Sequence, residues 1–410
     1  MTAIVLVLFA FAPGSVAIDH VEIAELNHVI CQFDGSEQGV FWVWWRWQTV
    51  DGLADYYVAD WRRLADAPRP TGGAQEFWDA KAKLRRRVES RVSIETWCFY
   101  DRESEDRKRL PESRRKKLTG PTIQIGDRTV GDGHRCYVIA ELGINHNGDR
   151  SVLRRLISAA AYAGAQAIKF QKRTVDVVYS AEELAKPRES PFGATNGDLK
   201  RRLELGHAEY AFIDLTCREL GIAWFASSWD LDSVDFIDRF NPPCHKIASA
   251  SITDLELIRR VCETDKPLIM STGMCTLEEL DRATDLVKSQ GNPLALLHCV
   301  STYPARDQDL NLRMIDTLRQ YDCPVGYSGH ERGIATTVSA VDKWGACIVE
   351  RHLTLDRSMF GSDQAASLEP EGFRRMVRDI GAVKSAQGDG VKRVLDAEIP
   401  IQRKLRRVAV

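Results

Sequence analysis

Two lysines, two histidines, several serines and two glutamates recur at one kind of place in this chain, the polar end of a short apolar run. Lys169 lies in "AQAIKFQK" and Lys246 in "CHKIASA". Two ammonium groups brought from different segments could bracket a small polyanion. Ser228, Ser249 and Ser271 end runs of their own, and such hydroxyls, with strand-end backbone N–H groups, donate to phosphate oxygens without bulk. His330 of "GYSGH" and His352 of "VERHL" could hold one divalent cation through imidazole nitrogen. Two protein ligands leave positions open for substrate and water, which suits a Lewis acid and not a closed structural site. The other reading of the pair is two histidines satisfied within a core. Glu141 and Glu350 remain as carboxylates for proton transfer or hydroxyl binding.

Something must bring these residues together. The runs are "CYVIAELG", "AQAIKFQK", "AWFASSW", "CHKIASA", "PLIMSTG", "PLALLHC", "CPVGYSG" and "ACIVERHL", eight in all. Helical patterns such as "SVLRRLISAAAYAG", "DLELIRRVCETD" and "TLEELDRATDLVKSQG" separate them, several ending in Gly as a left-handed cap favours. Buried strands alternating with helices predict an α/β fold, a (β/α)8 TIM barrel, whose chemistry sits at the C-terminal strand ends. Every run ends in polar groups: Glu141 to Asn147, Lys169 and Gln171, Ser227 and Ser228, Lys246 and Ser249, Ser271 and Thr272, His298, His330, and Glu350 to His352.

The region before the barrel is different. Seven of the ten tryptophans precede residue 100, and "GVFWVWWRWQTVDGLADYYVADWRRL" reads as two aromatic strands about an Asp51-Gly52 turn. Residues 1–118 are read as a small β-rich N-terminal domain of unknown function with a charged linker, and 119–410 as the barrel. "MTAIVLVLFAFAPGSVAIDH" resembles a secretory signal with a small-residue site near Ala17, but no Lys or Arg precedes its apolar run and Pro13 breaks it as a membrane span. The expectation is a cytoplasmic protein with no membrane partner. A net charge of -2 gives no argument for nucleic acid. Ten cysteines without a CxxC pair read as small buried hydrophobes, Cys136, Cys244, Cys299 and Cys347 among them.

From about residue 133 to 409 the chain resembles the sialic acid synthase family. The matching motifs are "AELGINHNGD", "AGAQAIKFQ", "HKIASA", "LIMSTGM", "LLHCVSTYP", "GYSGH", and "VERHLTLD" followed by "GSDQAASLEP", in family order. The resemblance implies condensation of phosphoenolpyruvate with an N-acylated amino-sugar aldehyde, N-acetylmannosamine or a related hexose, to a sialic-acid-like 2-keto-3-deoxy acid and phosphate. It implies a divalent metal, Mn2+ with Mg2+ or Co2+ as alternatives, on His330 and His352. Lys169 and Lys246 would hold phosphoenolpyruvate, with Ser228, Ser249, Ser271 and Ser301 about its phosphate. Glu141 would face the reacting centre, and Tyr303, Glu350 and Asp363 would lie near acceptor and metal. Asn145 and Gln171 join the substrate-binding set.

Ser228 and Ser301 stand where many members carry Thr and Asn. Family members often carry an antifreeze-like C-terminal module that supplies an arginine to the partner's acceptor site, whereas this sequence reads to "EIPIQRKLRRVAV". Arg188, Lys200 or Arg201 of "AKPRESPFGATNGDLKRRLEL" are candidates to replace it. A homodimer is the expected assembly. A metal-dependent hydrolase or isomerase on the same barrel is the alternative, and it would not need two anion-binding lysines.

Overall fold

The computed structural model describes residues 120–388 and 390–408, and, before them, the backbone of four strands. The chain divides into two units, Met1–Arg109 and Leu110–Val410. In the first, Ile18–Glu22 pairs antiparallel with Ile30–Phe33, and Val43–Thr49 with Gly52–Val58, on either side of the expected turn. The signal-like start and the remaining aromatic segments lie outside the described residues.

In the second unit eight parallel strands close into a barrel: β1 (Tyr137–Gly143), β2 (Ala167–Lys172), β3 (Ala223–Ser228), β4 (His245–Ile247), β5 (Leu268–Ser271), β6 (Leu294–Cys299), β7 (Val325–Gly329) and β8 (Ile348–His352). One outer helix follows each: α1 (Arg150–Tyr162), α2 (His207–Leu220), α3 (Leu231–Asp238), α4 (Leu255–Cys262), α5 (Leu277–Gln290), α6 (Met314–Leu318), α7 (Ala335–Asp342) and α8 (Pro370–Ala386). The boundaries follow local chemistry. Asp149 caps α1 by accepting from the N–H groups of Ser151 and Val152, and Thr276 and Glu279 form a reciprocal cap at α5. Gly291 ends α5 at φ 81°, a left-handed conformation that a side chain would disfavour.

Alternation along each strand sorts side chains into two cores. Val138, Ala140, Leu142, Ile168, Phe170, Trp224 and Ala226 face the helices. Tyr137, Ile139, Ala167, Phe225, Ile269, Ala295, Leu297 and Ile348 form the interior layer. A hairpin not anticipated from the sequence, Thr122–Ile125 with Arg128–Gly131, presses Ile123, Ile125 and Val130 onto that layer. Each such side chain contributes ~1.5–3 kcal/mol by burial. Two residues further along the same strands, the interior turns polar.

Candidate active site

Parity carries Glu141, Lys169 and Glu350 one step beyond Ile139, Ala167 and Ile348, into the barrel at its C-terminal end. Register sets them side by side: Glu141 pairs with Lys169 and Ser227 with Lys246. Lys169 Nζ lies 2.9 Å from Glu141 Oε2 and 3.3 Å from Glu350 Oε1, and donates to Ser227 Oγ at 3.2 Å. Lys246 Nζ lies 3.8 Å from Glu350 Oε2 and donates to Ser271 Oγ at 2.6 Å. All four charged side chains are buried.

Their electrostatics differ. Burial would raise the Glu350 carboxyl, but Lys169 and Lys246 outweigh it and hold it down at about 2. Burial dominates at Glu141 and, with repulsion from Glu350, raises its carboxyl despite Lys169. Lys169 keeps its proton: burial opposes the charge, and the two carboxylates outweigh it. Lys246 is pushed down to about 8, because burial outweighs its more distant Glu350. The site therefore holds one firmly ionised carboxylate, one carboxyl inclined to keep a proton, and two cations of unequal strength.

Above this layer sit the imidazoles. The ring centroids of His330 and His352 are 5.3 Å apart, and Tyr303 lies 4.1 Å from the former and 5.8 Å from the latter. His330 Nδ1 is 2.8 Å from the Val300 carbonyl. A carbonyl only accepts, so Nδ1 carries the hydrogen and Nε2 keeps a lone pair. His352 is buried and its Nδ1 has no hydrogen-bond partner, with Asp363 Oδ2 at 3.7 Å. Burial brings His352 down to about 3, so it is neutral, the form that binds metal. Among the described residues no group of three or more His, Cys, Asp or Glu is disposed to hold a metal. Burial would lower His330, but Cys299 and the Val300 carbonyl outweigh it and raise it, so this ring must release its proton to bind a metal. Two imidazoles with a carboxylate nearby fit an open site of two protein ligands.

The smaller groups fall into place unevenly. Ser249 Oγ accepts from the Gly273 N–H at 3.0 Å, and a Cβ on Gly273 would lie 2.8 Å from Ser249 Oγ and 2.3 Å from Ser301 Oγ, so the three converge. Ser228 is buried with its hydroxyl unpartnered. Gln171 donates to Glu141 Oε1 at 2.8 Å and accepts from Arg173. Asn145 spends its amide nitrogen on Leu353 O and Ser367 Oγ, bracing two loops. Arg188 is exposed and donates to Asn196 Oδ1 at 3.3 Å, and Arg201 is paired with Asp176, so neither is brought to the lysines. His146 accepts the Gly148 N–H within its loop.

Some of the site was not anticipated. His298, expected at the mouth, turns outward and lies 2.6 Å from the Leu310 carbonyl; it lines a cavity of about 420 Å³ with Thr272, Cys299, Ser301 and Met314. Its neighbour Cys299 turns inward instead. Cys299 Sγ lies 3.8 Å from His330 Nδ1, and its thiol is lowered to about 7; burial would raise it, but His330, Ser249 and Ser301 outweigh that. It is a buried cysteine, as expected, but not an inert one. Ser328 also joins, donating from Oγ to Glu350 Oε1 at 3.1 Å, beside Ser227, which was named at its strand end. Behind the histidines, Arg351 and Glu331 form a fully buried pair at 3.0 Å, with Glu331 held further by Tyr327 and Thr337. Each is the chain neighbour of one histidine, and the pair ties β8 to the loop after β7.

The NeuB family matches residues 156–392 of the chain. The chain belongs to the NeuB family. It is an enzyme of that family's phosphoenolpyruvate-dependent synthase type. It is 36% identical over 287 residues to N-acetylneuraminate-9-phosphate synthase of Homo sapiens, covering 69% of this chain and 80% of that one. It is 37% identical over 291 residues to N,N'-diacetyllegionaminic acid synthase of Legionella pneumophila, covering 69% and 82%. The crystal structure of N-acetylneuraminic acid synthetase from Leptospira borgpetersenii is similar at a TM-score of 0.61 and 29% identity, over 70% of this chain and 99% of that one. The NeuB match lies within the second unit, which holds all the residues described above.

Proposed function

We propose that the chain condenses phosphoenolpyruvate with an N-acylated amino-sugar aldehyde, N-acetylmannosamine or a related hexose, giving a 2-keto-3-deoxy nonulosonic acid and phosphate. The observation that carries this reading is the pair of buried ammonium groups, Lys169 and Lys246, sharing Glu350 and each donating to a serine hydroxyl, Ser227 and Ser271. A buried cation without a carboxylate of its own is destabilising unless an anion joins it. Two of them suit a ligand carrying a carboxylate and a phosphate.

Glu350, ionised, keeps both lysines charged and fixed. Ser249, Ser301 and the Gly273 backbone form a small cradle for phosphate oxygens, which only a glycine at that position leaves open. His330 and His352 would hold a divalent cation, Mn2+ by preference, and when bound it would polarise the acceptor's carbonyl oxygen. Carbon 3 of phosphoenolpyruvate then attacks the aldehyde carbon, water adds at carbon 2, and phosphate departs by C–O cleavage. Glu141 is the group suited to exchange a proton during these steps, because burial raises its carboxyl and it lies 2.9 Å from Lys169. Gln171 holds that carboxyl in orientation. Positioning and charge neutralisation supply most of the acceleration in such a reaction.

The test is phosphate release from phosphoenolpyruvate labelled with 18O in its bridging C–O–P oxygen, with Mn2+ and a panel of N-acylated amino-sugar aldehydes. The label should appear in phosphate, one equivalent per sugar consumed. Absence of phosphate release across the panel, from folded protein, refutes the reading.

A further inference from the structure

The ladder between β7 and β8 stops one residue short of the two histidines. Its last pairs are Ser328 with Glu350 and Gly329 with Arg351, so β7–β8 pairing does not reach His330. On one side the chain there is pinned by the β6 loop, where the Ala305 N–H donates to the His330 carbonyl at 3.0 Å. On the other side a side chain takes over from the ladder. Arg351 Nη2 donates to the Glu331 carbonyl at 2.6 Å, and Nη1 donates to the Gly333 carbonyl at 2.9 Å. One guanidinium on β8 thus holds two backbone groups of the loop that begins with His330.

Alternation explains the placement. Tyr327 and Val349 face the helices. Four and two residues on, Glu331 and Arg351 face them too, while His330 and His352 fall on the inner face. The ion pair therefore stands behind the pair of imidazoles. Arg351 Nη1 also donates to Thr337 Oγ1 of α7 at 2.6 Å. The Glu331 carboxylate accepts from the hydroxyls of Tyr327, Thr336 and Thr337 at 2.8, 2.9 and 2.6 Å. Gly329 leaves the room for this: a Cβ there would lie 2.5 Å from Glu331 Oε2 and 3.0 Å from Arg351 Cδ. Burying an ion pair is a poor way to gain stability, since apolar side chains of similar volume do as well or better. What a planar, forked cation adds is geometry. It fixes the β7 loop relative to β8, and so the separation of the two imidazoles carried by the neighbouring residues, 5.3 Å between centroids.

We propose that Arg351 and Glu331 are positioning residues for the divalent cation: the pair holds His330 and His352 at the spacing one metal ion needs, and metal affinity depends on it. The proposal rests on the two-histidine site of the synthase reading and adds the residues that set its geometry. Its effect is confined to the metal ligands. Glu350 and the two lysines do not depend on the pair, because Ser328, opposite Glu350, lies within the ladder and donates to that carboxylate at 3.1 Å. Outer groups that orient metal ligands contribute ~10–100-fold in metal affinity.

The experiment measures two affinities in the full chain: Mn2+, from the electron paramagnetic resonance of the free ion, and phosphoenolpyruvate without metal, by titration calorimetry. It compares the wild type with Arg351→Lys and with the double variant Arg351→Met, Glu331→Gln. Arg351→Lys keeps a charge opposite Glu331 and loses the fork, and should weaken Mn2+ binding ~10-fold. The double variant removes the fork without stranding a charge, and should weaken it ~10–100-fold. Phosphoenolpyruvate affinity should be unchanged in both, whereas a general loosening of the barrel would weaken the two ligands together. Mn2+ affinity unchanged in either folded variant overturns the proposal, and so does a parallel fall in phosphoenolpyruvate affinity. If the double variant does not fold, Arg351→Lys decides alone. A wild-type chain that binds no Mn2+ overturns the proposal together with the two-histidine site, while phosphate release in the labelled assay judges the synthase reading separately.

Discussion

Lys246 should make phosphoenolpyruvate affinity fall steeply above pH 8. Burial lowers this lysine from 10.5 to about 8, because Glu350 at 3.8 Å only partly offsets its desolvation. The trianion binds the charged form. At pH 9, one unit above the midpoint, about one molecule in eleven carries the charge, so apparent affinity drops ~10-fold and continues to drop ~10-fold per unit. Near pH 8 each binding event should take up about half a proton. Titration calorimetry between pH 7 and 9.5, in buffers of different ionisation enthalpy, measures both quantities. Lys246→Arg keeps its charge throughout and should flatten the profile. An affinity that does not change over this range, or the same slope in Lys246→Arg, would refute the reasoning. The shift also sets a stability term. Below pH 8 the lysine is charged in both folded and unfolded chains, and the burial penalty of about 3 kcal/mol is fully present. Between about 8 and 10.5 the unfolded chain binds more protons, so this term makes the free enzyme more stable as pH rises.

His330→Ala and His352→Ala should each abolish Mn2+ binding, seen directly in the electron paramagnetic resonance of the free ion, and chelation should silence the wild type; full activity with metal shown absent contradicts the two-histidine site. Gly273→Ala should raise the KM for phosphoenolpyruvate ~10-fold or more, since its Cβ would lie 2.3 Å from Ser301 Oγ and overpacking costs ~1–3 kcal/mol; an unchanged KM would remove that cradle from the site. Arg351→Met should cost ~3–5 kcal/mol of stability, because it leaves the buried Glu331 carboxylate without its cation; an unaltered urea midpoint would show that the hydroxyls of Tyr327 and Thr337 suffice.

The eight strands were legible because parallel strands buried on both faces read as nearly unbroken apolar runs. That chemistry gathers where those runs end was equally legible. Which of the last side chains turns inward was not. Ser228 was chosen where Ser227 meets Lys169, and His298 where Cys299 meets His330. The choice depends on register across neighbouring strands, such as Ser227 opposite Lys246, and a single sequence does not display register. Counting by twos from Lys169 reaches Gln171, named in the sequence as a substrate-binding residue, whose amide holds Glu141. The hairpin at 122–131 escaped because its two strands are four residues each. Arg173 escaped because a cation after a strand looks like any solvated loop residue, and only Trp229, 56 positions on, marks it as buried.

The hairpin at the foot of the barrel has a kinetic consequence. With Ile123, Ile125 and Val130 packed across the interior, the barrel is closed at that end among the described residues. Lys169 and Lys246 lie at its inner end, while Tyr303, 47% exposed, stands at the threshold. Whatever occupies the lysines must enter before the sugar that sits above it, and it is trapped once the sugar arrives. On the proposed reaction this imposes a queue: phosphoenolpyruvate first in, and its phosphate unable to leave until the nine-carbon product has cleared the doorway.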